Sequence, residues 1–257
     1  MTLYVLSIKI KVSLRNKRDI GVNDSPEKLN FFYIFRLADG NVKRFDVSLD
    51  AKTLDYIPAS KQIPPEWASL NYYKCNNCNL DETKYEFCPI ASNIAEVVSA
   101  FKDSSSYENA YVLVMTKARD FSKNTTIQEG MSSLLGIYMV TSGCPIMEKL
   151  KPLVRYHLPF ATLEESVYRI VSMYLFIQYY LKKEGKKPDW ELKKLGDIYE
   201  NIRLVNAGMS ERLRNAATKD ASITAVANLD YLASLLPFLI NDTLANIGES
   251  FSSYLIE

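Results

Sequence analysis

With 257 residues, 47% of them hydrophobic and 24% charged, the chain is long enough to bury its own core without covalent staples. Its 31 Lys and Arg face 30 Asp and Glu, a formal net charge of +1, which excludes a global field drawing it to nucleic acid or an anionic membrane.

The amino terminus, MTLYVLSIKIKV, puts lysines at alternate positions in an apolar run and lacks a small-residue cleavage site, so it reads as a strand and not a signal peptide. That strand spans Leu3 to Leu14, with Tyr4, Leu6, Ile8, Ile10 and Val12 on one face. Lys9, Lys11, Arg15, Lys17 and Arg18 are read as its solvated face and end. Phe31 to Leu37 and Val42 to Leu49 are two further strands. Between them Ala38-Asp39-Gly40-Asn41 carries the Asp-Gly pair of a hairpin turn. Residues 50–74, with Pro58, Pro64 and Pro65, form a surface connector whose Trp67, Leu70, Tyr72 and Tyr73 pack on the loop that follows.

That loop carries the only spacing that points to specific chemistry. Cys75 and Cys78, two residues apart, can aim both sulfurs at one metal ion, and Cys88 supplies a third ligand at short range. The fourth ligand is Cys144 or the single histidine, His157, which lies near it in the chain. His157 is equally readable as a general base or a buried ring. Zinc is the expected metal. Four cysteines holding an iron–sulfur cluster is the alternative, although no ferredoxin-type cysteine run is present.

Pro89 opens a helix striped by Ile90, Ile94, Val97, Val98 and Phe101. Tyr111 to Thr116 reads as a strand able to join the front sheet. Thr126-Ile-Gln-Glu129 and Thr162-Leu-Glu-Glu165 have the form of capping boxes. The first starts a helix running toward Gly143, and the second a helix through Val171, Tyr174 and Gln178 to Gly185. Pro188-Asp189 starts the next, striped by Leu195, Tyr199, Ile202, Asn206, Met209 and Leu213. The last, from about Ala221 to Phe251, should kink or split at Pro237. Gln178 and Asn206, polar residues on apolar stripes, are read as fixing helix register, and Arg119 with Asp120 as a surface ion pair.

Cys-Pro-Ile occurs twice, at 88–90 and 144–146, each time where a helix is expected to start. A cysteine at an N-cap faces free N–H groups and the positive end of the helix dipole, so both sulfurs are expected to ionise easily. This motivates the second functional reading, a redox sensor or enzyme using a helix-capped thiolate. No phosphate-binding loop, dinucleotide fingerprint or nucleophile elbow is present, and no complete set of catalytic residues can be assembled.

Pro65-Glu-Trp67, Cys75-x-x-Cys78, Phe87-Cys88-Pro89-Ile90-Ala91, Ser142-Gly-Cys144-Pro145 and His157-Leu-Pro-Phe-Ala161 together resemble a bacterial protein family of unknown function, from about residue 60 onward. The resemblance implies a bacterial source and adds no chemistry. The expected protein is α+β: a small antiparallel sheet in a β-rich region with its connector (1–74), a Cys-rich knuckle with helix and strand (75–118), and an antiparallel helical bundle (119–257), or all three as one continuous domain. The most apolar stretch singled out, Val167 to Leu181, is shorter than the roughly 20 residues that span a bilayer. The expected location is therefore the cytoplasm, where reduced thiols bind metal in preference to forming disulfides. The expected partner is a protein, with nucleic acid and membrane disfavoured.

Overall fold

In a computed structural model the described residues are 27–60 and 63–255. The expected strand at Leu3–Leu14 and its five basic residues lie outside them.

Strand β1 (Lys28–Leu37) and strand β2 (Val42–Asp50) form the expected hairpin, in register from Lys28 opposite Asp50 to Arg36 opposite Val42. Gly40 turns it with φ of +87°, a conformation that costs glycine nothing, and the Asp39 carboxylate accepts the Asn41 N–H. Alternation sends Phe31, Tyr33 and Phe35 of β1 and Phe45, Val47 and Leu49 of β2 into the core. Strand β3 (Asn109–Thr116) pairs antiparallel with the other edge of β1, as its composition suggested. Strand β4 (Asp120–Thr126) then hairpins onto β3, completing an antiparallel sheet in the order β2-β1-β3-β4. The sequence reading had no β4. Its residues, DFSKNTT, are mostly exposed at an edge, so no hydrophobic alternation marks them. Arg119 and Asp120 lie at the β3–β4 turn, where Thr116 N–H and hydroxyl both donate to the Arg119 carbonyl. Among the described residues these two side chains make no ion pair.

Helix α1 (Pro89–Phe101) and helix α2 (Ile127–Val140) pack against each other, and α2 touches both β1 and β3. Gly130 lets α2 approach the sheet, since a Cβ there would stand 2.6 Å from Phe35 Cε1 and 2.9 Å from Val112 Cγ2. Beyond α2 come a 3-10 turn (Met147–Leu150) and a short helix α3 (Lys151–Arg155). Helices α4 (Leu163–Lys183), α5 (Lys193–Arg214) and α6 (Ala221–Gly248) follow, then one turn of α7 (Ser252–Leu255). Helix α6 is the central member, packing on α5, α2 and α4. One cluster of buried side chains runs from Phe31 of the sheet to Ile240 of α6.

Several start and stop signals resolve differently from expectation. Thr162 makes both bonds of its capping box, whereas the Thr126 side chain caps nothing and the Glu129 carboxylate, which would have returned the second bond, is taken by Lys123 and Thr125. Helix α5 begins at Lys193, with Asp189 accepting from the Lys194 N–H and the Tyr174 hydroxyl. Pro237 lies within α6 without splitting it. The longest apolar window is also in α6, not α4: Ala221–Ile240 is long and apolar enough to cross a membrane, at a mean hydropathy of 1.6. Ala221, Ala225, Val226, Ala233 and Leu236 of that window are buried against the protein.

Candidate metal centre and the histidine cluster

Residues 68–70 and 86–88 form a short antiparallel ribbon. Leu70 N–H donates to the Glu86 carbonyl at 2.9 Å, Cys88 N–H to the Ala68 carbonyl at 2.8 Å, and Ser69 bridges Phe87. The ribbon closes the loop that carries the Cys-x-x-Cys, where Cys78 N–H donates to the Cys75 carbonyl at 2.9 Å. That tight turn holds the two side chains at neighbouring positions. Cys75 presses against α5: its Sγ lies 3.9 Å from the Val205 carbonyl oxygen, and a Cβ on Gly208 would meet that sulfur at 2.7 Å. Cys88, buried, is the N-cap of α1 with Pro89 in the first helical position, as expected. Cys144, also buried, leads into a turn before the 3-10 segment Met147–Leu150. Against expectation, the second Cys-Pro-Ile starts no α-helix.

All four thiols are free. Burial, then the charge of Cys88, pushes the Cys75 thiol up to about 12, with Cys78 and Cys144 adding and the Arg212 guanidinium opposing. Cys144 is likewise raised, chiefly by burial, against the N–H groups of Met147 and Ile146 and with Cys88 and Cys78 adding. The expectation of an easily ionised Cys144 is therefore reversed by desolvation. Cys75 and Cys144 are thus each raised a little further by the charges of other cysteines. As placed, the four cysteines do not form a coordination sphere: among the described residues no three His, Cys, Asp or Glu side chains are set to hold a metal ion.

Arg212 of α5, whose charge acts on Cys75, is 1% exposed. Its Nη1 donates to the carbonyls of Trp67 (3.0 Å) and Ser69 (2.6 Å), and its Nη2 to that of Leu70 (3.0 Å), so α5 grips the ribbon directly. Its Nε has no partner, and among the described residues no carboxylate pairs with it. Sequence reasoning passed over Arg212 and Gly208, although a sign was present. Arg212 directly follows Met209 by three positions and precedes Leu213, which places a cation on the apolar face of α5.

His157 is elsewhere. Its Nε2 lies 2.6 Å from the Tyr33 hydroxyl and 3.1 Å from Ser133 Oγ, those two oxygens being 2.8 Å apart, and its ring meets the Phe31 ring edge-on. Burial, aided by the Arg169 charge, lowers its pKa to about 3. The unfolded chain, with an ordinary histidine near pH 6.5, takes up that proton first. The stability carried by the neutral ring is thus full above about pH 6.5 and is lost as pH falls toward 3. The ceiling is ~1.4 kcal/mol per pH unit, reduced by whatever water reaches the ring. His157→Gln should flatten this slope in urea titrations between pH 6.5 and 4, and an unchanged slope would show that the ring is hydrated.

Of the two polar residues on helical stripes, Gln178 ties down a connector, its Oε1 accepting the Asp189 N–H at 2.8 Å. Asn206 is 1% exposed and neither of its side-chain polar atoms has a partner, so register alone does not account for it.

Among the described residues, fold and site together define an α+β protein with a four-strand antiparallel sheet, a helical back and four free cysteines, of which Cys75 lies against α5 and Cys88 caps α1. The chain belongs to the family described as "Domain of unknown function (DUF6901)", which its residues 31–252 match. The family therefore begins at the front hairpin, earlier than the resemblance from about residue 60 indicated. No curated protein matches the chain, and no solved structure does.

Proposed function

We propose that the protein holds one structural zinc ion on Cys75, Cys78, Cys88 and Cys144, and that this ion locks the ribbon, the start of α1 and the Cys144 turn onto α5. The observation that carries the proposal is Arg212, a buried guanidinium with no carboxylate partner among the described residues, whose charge acts on the free thiol of Cys75. A buried cation needs a nearby anion, and zinc on four thiolates is a net dianion. Neutral thiols would leave that cation uncompensated. The site would be closed, contributing folding energy and leaving no position open for substrate. His157, engaged by Tyr33 and Ser133, yields the fourth position to Cys144.

With the metal structural, the work falls to the surface. Tyr168, Leu175 and Tyr179 of α4, with Phe176 beside them, form an exposed stripe flanking the buried face of Val167, Val171 and Tyr174. Such a stripe suits a protein partner, and reduced thiols suit the cytoplasm. A redox-sensing thiolate is less well supported, because a sensor cysteine must be accessible and readily ionised, and Cys144 is neither.

Elemental analysis with an ultraviolet-visible spectrum, on protein purified anaerobically without added metal, tests the assignment. About one zinc per chain and a colourless sample are expected from a four-thiolate site. A brown sample containing iron and sulfide would replace zinc by a cluster on the same thiols, and metal-free, well-folded protein would overturn the proposal.

A further inference from the structure

Independent of the cysteines, a cavity of about 450 Å³ opens between α2, the segment joining α3 to α4, and helices α4, α5 and α6. That volume lies in the range of small-molecule sites. Its walls are mainly apolar, with Ile137, Leu153, Phe160, Ile170, Ile202 and Leu229 among them. The polar groups that reach it are few. Asn206, 1% exposed, brings an amide whose Nδ2 and Oδ1 have no partner. Folding leaves such a group unpaired only at a cost, so an unpaired amide at a cavity wall is a contact waiting for a ligand. Arg169 lines the same wall. Its Nη2 donates to the carbonyls of Leu153 (2.9 Å) and Tyr156 (3.0 Å), which fixes the guanidinium in place without neutralising it. Among the described residues no carboxylate pairs with it. Ser133 and His157 are among the other polar groups of the wall, and the ring is neutral at ordinary pH, so Arg169 is the positive charge of the described lining, with the Glu165 carboxylate near it but making no ion pair. Glu129, the carboxylate at the rim, is already bound to Lys123 and Thr125.

A fixed guanidinium without a direct ion pair and an unpaired amide, in mainly apolar walls, complement an anionic head on an apolar body. We infer that this cavity binds a small apolar carboxylic acid, its carboxylate on Arg169, its second polar contact at Asn206, and its hydrocarbon body along Ile137, Ile170 and Ile202. A guanidinium favours this head group because its planar fork matches a carboxylate.

The test is calorimetric titration of the purified full chain with decanoate and with decanol, which has the same chain length and no charge. Decanoate should bind the wild type at least tenfold more tightly than decanol does. Asn206→Asp, nearly isosteric and anionic, should weaken decanoate at least tenfold and leave decanol within about twofold. Arg169→Met should remove the preference for the acid, with circular dichroism confirming that the bonds lost at Leu153 and Tyr156 have not unfolded the chain. No decanoate binding to the wild type, or equal decanoate affinity in wild type and a folded Asn206→Asp protein, would overturn the inference. Neither result bears on zinc content, so this site and the cysteine centre stand or fall separately.

Discussion

Arg212→Met is expected to destabilise the protein by about 3–5 kcal/mol, the scale for breaking a buried charge pair by removing one partner. Two losses combine. The Trp67 and Leu70 carbonyls lose their guanidinium donors, while that of Ser69 keeps the Tyr72 N–H. The larger loss is electrostatic, because a zinc–thiolate dianion would be left buried without its cation. Urea denaturation at pH 7 with zinc present is the measurement, and an unchanged slope would show that the midpoint shift reports stability alone. The size of the effect discriminates between readings. If the four thiols were neutral and metal-free, the guanidinium would itself be the uncompensated charge, and its removal would relieve that charge, offsetting the roughly 1–3 kcal/mol of each lost carbonyl bond. A midpoint at or above that of the wild type would therefore remove the anion, and with it the argument for metal.

The parts of the fold legible in the sequence are those in which local chemistry and tertiary packing agree. The Asp39-Gly40 turn, the alternation of Phe31, Tyr33 and Phe35, Pro89 at the start of α1 and the Thr162 capping box each have one low-energy outcome, and each forms. Where two local options compete, the sequence does not decide. Thr126 has the spacing of a capping box, but β4 places Lys123 and Thr125 within reach of Glu129, and the carboxylate goes to them. Strand β4 itself is held by β3 and not by its own hydrophobicity. The same division runs through the site. Cys75, Cys78 and Cys88 are close in sequence, and the ribbon at 68–70 and 86–88 keeps them close in space. Cys144 and His157 look interchangeable from spacing, yet the intervening turn and α3 carry His157 to β1, where Tyr33 takes its Nε2. Asn206 and Arg212 occupy the apolar side of α5 six residues apart, and only the three-dimensional neighbours show that one lines a cavity and the other lies near Cys75.

Removing a ligand thiol should therefore have an effect that depends on zinc. For a metal present at about 1,000 times its dissociation constant, linkage predicts ~4 kcal/mol of added stability. In a chain of this size that is about 10 °C in Tm. Cys75→Ser and Cys144→Ser should each lose about that much in zinc-containing buffer, while His157→Gln should keep its zinc. In excess chelator the wild type should fall to meet the two cysteine variants. Gly208→Ala should lie between. Its new Cβ would stand 2.7 Å from Cys75 Sγ and 3.3 Å from Cys75 Cα, so rotating the thiol away does not relieve the contact and the knuckle must shift off α5. That variant keeps all four ligands and should bind zinc more weakly. If instead the cysteine variants show the same deficit in zinc and in chelator, the thiols act through packing, and the four cysteines are a feature of the core and not a metal centre.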